Sequence, residues 1–439
     1  MNTGLTVWKD ENNNTIALDA DNAFWAIAKN QKDLNIPRDV ISLYEKVKDR
    51  LDKELHNFRF SQELSAIYID PTDRCNARCP YCYVPLKTRL YGRSMSLQEL
   101  DFILEKIREY FKAKKRKPVI IFHASEPLLV KDIIFAAIAK YDGIFKFGLQ
   151  TNATLLEKDD VQFLRSHRVG VGISLDSSLP GINNRLRPNA NGGGNFEKVA
   201  KALSWFDGYV GLNIITTVTK FNVNDLSNIV KYLHKKKVPC VLFNPVRLTQ
   251  KNSRSLKPDT KLFAQHFIKA VDTAIELSKR TGRKIIVGNF ANTILSIVSP
   301  MARRLMCDIS PCGGGRCFFT VTASGGMIPC GEFIGIKGFS GGNIFKDSIS
   351  CAMESRPFKK VRSRIVEKID ECAECILRNL CGAPCPAELH ALGNMHKKSV
   401  FCEFYKEVIH YAFKIIAEGK VPYLLRKDGL NNLEYQYRL

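Results

Sequence analysis

The sequence predicts an α/β fold: a partial (β/α)6 barrel, open where a TIM barrel closes, followed by a cysteine-rich segment. Three observations carry this. Short runs rich in Val, Ile and Phe alternate with longer amphipathic stretches from Leu64 to about Arg280, the pattern of βα units around a parallel sheet. Of 14 cysteines only Cys240 lies between Cys82 and Cys307, so the rest form two groups towards opposite ends of the chain. The 439 residues are 45% apolar and 25% charged, which excludes a disordered chain and suffices for a full core.

Six strands are expected: Leu64 to Asp70, Val119 to His123, Phe145 to Gln150, Val169 to Leu175, Val210 to Val218 and Val241 to Val246. Helix starts show between them: the capping box Ser96-Leu97-Gln98-Glu99, Asn195 before Phe196, and Asn224-Asp225 before Leu226. Six units are too few to close an eight-stranded barrel, and in barrel folds reactive side chains sit at the C-terminal strand ends. Residues 1–60 read as an appended module, with two short strands around Asn12-Asn13-Asn14 and one charged helix from Arg38 to Phe58. The barrel is expected over 61–300, the glycine- and cysteine-rich domain over 301–410, and a C-terminal helix and tail over 411–439.

A secreted disulfide scaffold would be short and open on an apolar signal segment. This chain starts with polar MNTGLTVWKDENNNT. A reducing, cytoplasmic compartment is therefore expected, with the cysteines as metal ligands. No run of 18 apolar residues exists, so no membrane helix is expected.

Directly after the first strand stands Cys75-Asn76-Ala77-Arg78-Cys79-Pro80-Tyr81-Cys82. Three thiolates on one short loop can hold three irons of a [4Fe-4S] cubane and leave the fourth open. A zinc site completed by a distant residue such as His123 is the alternative. The loop resembles that of the radical S-adenosylmethionine superfamily, whose open iron chelates the cofactor's amino and carboxylate groups. The resemblance implies that Cys75, Cys79 and Cys82 ligate the cluster and that Tyr81 lies beside the cofactor. It extends to the strand ends. Ala124-Ser125-Glu126-Pro127 resembles the GGEP segment that holds the methionine amino group, with both glycines replaced. Gln150-Thr151-Asn152 resembles a QTN segment, implying roles for Gln150 and Asn152. Ser174-Leu175-Asp176 resembles SLDG, with Ser174 near the ribose or carboxylate and Arg187 as the carboxylate-binding arginine, Arg185 competing. Asn244 stands where the family's backbone meets adenine.

The second group reads Cys307, Cys312-x12-Gly325-x4-Cys330, then Cys372-x2-Cys375-x5-Cys381-x3-Cys385, and Cys402. This resembles the SPASM domain, which binds two auxiliary [4Fe-4S] clusters in an interleaved way. The resemblance implies Cys307, Cys312, Cys330 and Cys385 for the first, and Cys372, Cys375, Cys381 and Cys402 for the second. A pair of zinc sites is the alternative. Cys240, Cys317 and Cys351 remain, with Cys317 near enough in sequence to replace Cys312.

Three [4Fe-4S] clusters and S-adenosyl-L-methionine imply an anaerobic enzyme that generates a 5'-deoxyadenosyl radical and oxidises its substrate. SPASM relatives mostly modify peptides or proteins. The leading reading is a maturase of a ribosomally made precursor peptide, forming a thioether or carbon–carbon crosslink. Second is an anaerobic sulfatase maturase that makes formylglycine. In that family an aspartate base follows the GX4C cysteine, whereas here Gly331 follows Cys330 and Glu332 comes next, so Glu332 is the candidate base. Residues 1–60 offer a partial leader-binding element or a cap on the barrel bottom.

The formal net charge of +22 raises a third class, an RNA-binding or RNA-modifying protein. The lysine runs at 112–117 and 235–237 lack interleaved aromatics and fit solvated turns better. Two closed clusters at about −2 each and one at about −1 bring the charge to roughly +17. Acidic partners follow more readily than nucleic acid: a leader peptide and a ferredoxin or flavodoxin donor.

Overall fold

The computed structural model of the chain describes residues 4–29, 34–112, 114, 117–303 and 306–426. Part of the 112–117 lysine run and the tail from 427 lie outside these. Strands β4 (Ala66–Ile69), β5 (Val119–Phe122), β6 (Lys146–Thr151), β7 (Gly170–Ser174), β8 (Leu212–Val218) and β9 (Cys240–Pro245) are the six expected from sequence. Each pairs parallel with the next. Their helix-facing residues, among them Ile67, Ile120, Ile173, Ile214 and Val241, are fully buried, while Tyr68, Gln150, Ser174, Ile215 and Asn244 on the opposite face line internal cavities; this is why these apolar runs settle as strands with helices over their outer face.

The sheet is larger than the sequence predicts. Among the described residues it has nine strands in the order β10-β9-β8-β7-β6-β5-β4-β11-β12, where β10 is Ile286–Val287, β11 is Phe318–Val321 and β12 is Met327–Ile328. Strand β11 comes from the cysteine-rich segment and lies parallel to β4, with Phe319 opposite Ile67. Two to four residues between glycines leave no periodicity to read, so these strands escaped the pattern.

The helix starts fall where expected, with different chemistry at two of them. Ser96 and Glu99 form the capping box on helix Leu97–Lys112, each side chain bonding the other's backbone N–H at 3.2 and 2.8 Å. Asn195 precedes helix Phe196–Phe206 without capping it and accepts from the Asn183 side chain instead. Asp225 precedes helix Leu226–Lys235, and its carboxylate holds Ser177 and Ser178 after β7. Tertiary hydrogen bonds outcompete the local cap in both.

The N-terminal module has three strands, β1 (Thr6–Lys9), β2 (Thr15–Leu18) and β3 (Trp25–Ala28), in one antiparallel sheet, then one helix, Arg38–Phe60. It packs on the C-terminal part of the chain. Trp8 meets Phe413 edge-on at 5.4 Å, Asn379 donates to the Ala20 carbonyl, and Arg59 forms a two-pronged pair with Glu367 at 2.6 and 2.9 Å. Among the described residues no helix is long and apolar enough to cross a membrane.

Candidate functional site

The cysteine loop leaves β4 and is clamped from several sides. Arg89, almost fully buried, donates to the carbonyls of Val84 and Ala77 at 3.0 and 3.2 Å. Arg78 donates to the Cys75 carbonyl at 2.7 Å, and its own N–H bonds Pro188. These bonds turn Cys75, Cys79 and Cys82 towards one cavity of about 240 Å³ at the strand ends. Burial pushes the Cys82 thiol up to about 11, with Arg89 and Arg187 among the groups pulling the other way. Such thiols become thiolates only when a metal takes the proton's place.

Tyr81, Ala124, Ser125, Gln150, Asn152, Ser174, Arg187 and Asn244 line this same cavity. Glu126 and Pro127 do not. The Glu126 carboxylate is fully buried and spent on the fold: it accepts from Leu128 N–H at 3.1 Å, Thr151 Oγ1 at 2.6 Å and Asn152 N–H at 2.7 Å. It stitches the end of β5 to that of β6. Ala124 and Ser125 stand in the left-handed region, φ 54° and 45°, where the glycines they replace would rest without strain. The Ser125 hydroxyl offsets part of this by donating to the Asp73 carbonyl at 2.7 Å.

The two candidate arginines differ in their surroundings. Arg187 is buried and bonds Tyr81, which in turn bonds Asp176, whereas exposed Arg185 lies over the Phe221 ring at 3.8 Å. Asp176 also accepts from Thr217 N–H at 2.9 Å. One buried carboxylate thus fixes the aromatic of the cysteine loop and the cavity arginine together.

A second cavity, about 260 Å³, lies beyond the first. Cys307, Cys312, Cys330 and Cys385 all line it, together with Cys381. Within this foursome the thiols face one another closely enough to raise one another's pKa, on top of burial as the main cause. Cys307 lies deep in the fold yet shows open surface, as a residue facing an internal cavity does. Cys372, Cys375, Cys381 and Cys402 interact in the same way as a separate set. Arg364, buried with its side chain bonded to the Met395 and Lys397 carbonyls, faces Cys312 and Cys385 of one set and Cys372 and Cys381 of the other. Cys317 is buried outside the cavity and Cys240 is buried elsewhere, while Cys351 is exposed. Among the described residues no three His, Cys, Asp or Glu side chains converge as one metal ion would need. A cubane meets each thiolate at a different iron and does not require it.

Tyr83, His123, Gln150, Ile215, Asn244, Pro245, Arg247 and Glu332 line both cavities, so the two are contiguous. Arg247 reaches Glu332 at 3.8 Å and Glu388 at 4.0 Å, pairs too long to be hydrogen bonds. Burial pushes Glu332 up to about 7 against the pull of Arg247. Sequence reasoning placed Glu332 here but missed Tyr83, Arg247 and Asp70 as site residues and took His123 only as a zinc ligand. Asp70, His123 and Tyr83 each sit at or next to a strand end or cysteine motif, a signal that was present.

Residues 69–233 match the family model of the radical SAM superfamily. The chain belongs to the radical SAM superfamily. It is a radical SAM enzyme, 45% identical over 408 residues to an uncharacterized protein of Archaeoglobus fulgidus, covering 93% of each chain. It is 24% identical over 369 residues to a cysteine-type anaerobic sulfatase-maturating enzyme of Clostridium novyi, covering 79% of this chain and 94% of that one. Among solved structures it resembles anSMEcpe with bound AdoMet and the Cp18Cys peptide, with TM-score 0.69 and 21% identity, over 81% of this chain and 98% of that one. At that identity the likeness establishes the shared fold, including the cysteine-rich C-terminal part.

Proposed function

We propose that this enzyme oxidatively modifies a side chain of a ribosomally made precursor peptide, using three [4Fe-4S] clusters and S-adenosylmethionine. The observation that carries the reading is the contiguity of the two cavities: the CxxxCxxC thiols open on one, four further thiols on the other, and eight residues line both. Cys75, Cys79 and Cys82 would hold the cluster, which together with S-adenosylmethionine would supply radical hydrogen-abstraction chemistry at an unactivated carbon.

The chain's own residues bind, orient and shield. Arg187, anchored by Tyr81, offers a buried cation for the cofactor carboxylate, and Asn244, Gln150 and Ser174 offer polar contacts. Half-buried Arg247 and buried Arg364 bring positive charge beside the thiol sets, where anionic clusters would repay its desolvation. Part of the +22 charge thereby has a use inside the molecule, which weakens the RNA-binding reading. A crosslink is the favoured outcome. Formylglycine formation is the second reading, supported by the likeness to the Clostridium novyi enzyme over most of both chains. Exposed basic groups suit an acidic leader peptide and a ferredoxin or flavodoxin donor.

Anaerobic co-expression with short open reading frames beside the gene, followed by mass measurement, tests the reading. A loss of about 2 Da per site marks two-electron oxidation. No mass change in any of these peptides would overturn it.

A further inference from the structure

We propose that His123 is the proton acceptor of the reaction, held for that task by Asp70. The inference rests on the maturase reading and adds a residue that the cysteine and cofactor motifs do not include.

Asp70 follows β4 and His123 follows β5, neighbouring parallel strands, so both side chains stand at C-terminal strand ends. Asp70 is 1% exposed, and neither of its carboxylate oxygens has a hydrogen-bond partner. Its Oδ1 lies 3.7 Å from His123 Nδ1, itself without a partner. A bare carboxylate at that depth is costly and rare in folded proteins, and such cases gather where the group orients another. Burial pushes Asp70 up to about 6, with the His123 contact pulling against it.

The opposite nitrogen, Nε2, meets the Tyr83 hydroxyl at 3.2 Å. Gly331 makes room for the ring: a Cβ there would stand 3.1 Å from His123 Cε1. Both His123 and Tyr83 line the two cavities. The groups facing the imidazole are Asp70 and Tyr68 from β4, Tyr83 from the cysteine loop and Glu332 from the turn after Cys330, with Asp73 behind Asp70. An imidazole with a carboxylate facing one nitrogen and, at the other, a tyrosine hydroxyl on the cavity wall that a substrate group can displace is the arrangement of a general base.

For a thioether the balance is as follows. The substrate C–H bond breaks and its hydrogen leaves as an atom to the 5'-deoxyadenosyl radical. A cysteine thiol displaces the long Tyr83 bond, and its S–H proton passes to His123 Nε2. The C–S bond forms, and the electron left over goes to an oxidised [4Fe-4S] cluster. Oxidation of a thiol or hydroxyl carbon to C=S or C=O would need the same acceptor.

Two measurements on the reconstituted, anaerobic enzyme test this. The first needs no substrate: diethyl pyrocarbonate labelling of His123, followed by peptide mass mapping across pH. Replacing the carboxylate that faces Nδ1 in Asp70→Asn should change the His123 labelling rate at least about threefold at matched pH. An unchanged rate overturns the proposal. The second uses synthetic peptides carrying one cysteine and dithionite as reductant, and reads product per 5'-deoxyadenosine released. That ratio should fall at least tenfold in His123→Gln, and the acid limb of product formation should move to lower pH in Asp70→Asn. An equal ratio in His123→Gln, or loss of the acid limb in Glu332→Gln with no movement in Asp70→Asn, overturns it. If the wild-type enzyme changes no peptide, the maturase reading fails, and the labelling arm still decides the pairing of His123 with Asp70.

Discussion

The two cysteine sets of the C-terminal segment follow one spacing rule but meet different surroundings. Cys307, Cys312, Cys330 and Cys385 open on the cavity contiguous with the CxxxCxxC loop and lie beside half-buried Arg247. Cys372, Cys375 and Cys402 lie off that cavity, Cys402 opening the helix Cys402–Ala417 with Lys398, Lys406 and Glu403 around it. The N-terminal sheet packs on the same helix through Trp8. On the function proposed above, the contrast points to a division of labour: a group on the inner set would take an electron from substrate, and one on the outer set would pass it towards the surface.

Breaking the inner set should have the larger effect. Cys385→Ser should remove about four irons and lower product formation by at least about a hundredfold, on the order of 3 kcal/mol of barrier. Cys375→Ser should also remove about four irons but slow turnover by only about tenfold, about 1.4 kcal/mol. Iron analysis and mass-detected product check both; equal losses would erase the distinction between the sets.

The link to the N-terminal module gives a smaller effect, on stability. Arg59→Ala removes the two-pronged pair with Glu367 and a bond to the Ser310 carbonyl, and should cost about 2–4 kcal/mol in denaturant unfolding. Burial works against the Glu367 carboxylate, but Arg59 and further hydrogen bonds outweigh it and hold its pKa below the ordinary range. The pair's contribution should therefore be complete above about pH 5 and fade as pH falls through the carboxylate range. A wild-type–mutant difference that persists at low pH would exclude the ion pair as its source. The smallest effect has the opposite sign: Ala124→Gly, relieving a left-handed backbone, should stabilise the chain by about 1 kcal/mol.

The barrel was legible because six apolar runs of β-branched and aromatic residues alternate with amphipathic stretches, and the cysteine sets because spacing survives without any view of the fold. Strands β10 to β12 were hidden by their shortness. Glu126 shows a different limit: a strand-end carboxylate can hold a cofactor or anchor the fold, and the three donors around this one, which tie β5 to β6, are invisible in the sequence. Arg187 and Arg185, two residues apart in sequence, separate only when burial is known. Asp70 and His123 become a pair through β4–β5 pairing, which joins positions 53 residues apart.

The central claim is that three iron–sulfur sites surround two contiguous cavities. Iron and sulfide analysis of the anaerobically reconstituted protein tests it most directly. About twelve irons per chain are expected, falling to about eight in Cys385→Ser and in Cys375→Ser alike. About four irons in the wild-type protein, unchanged by either substitution, would contradict it.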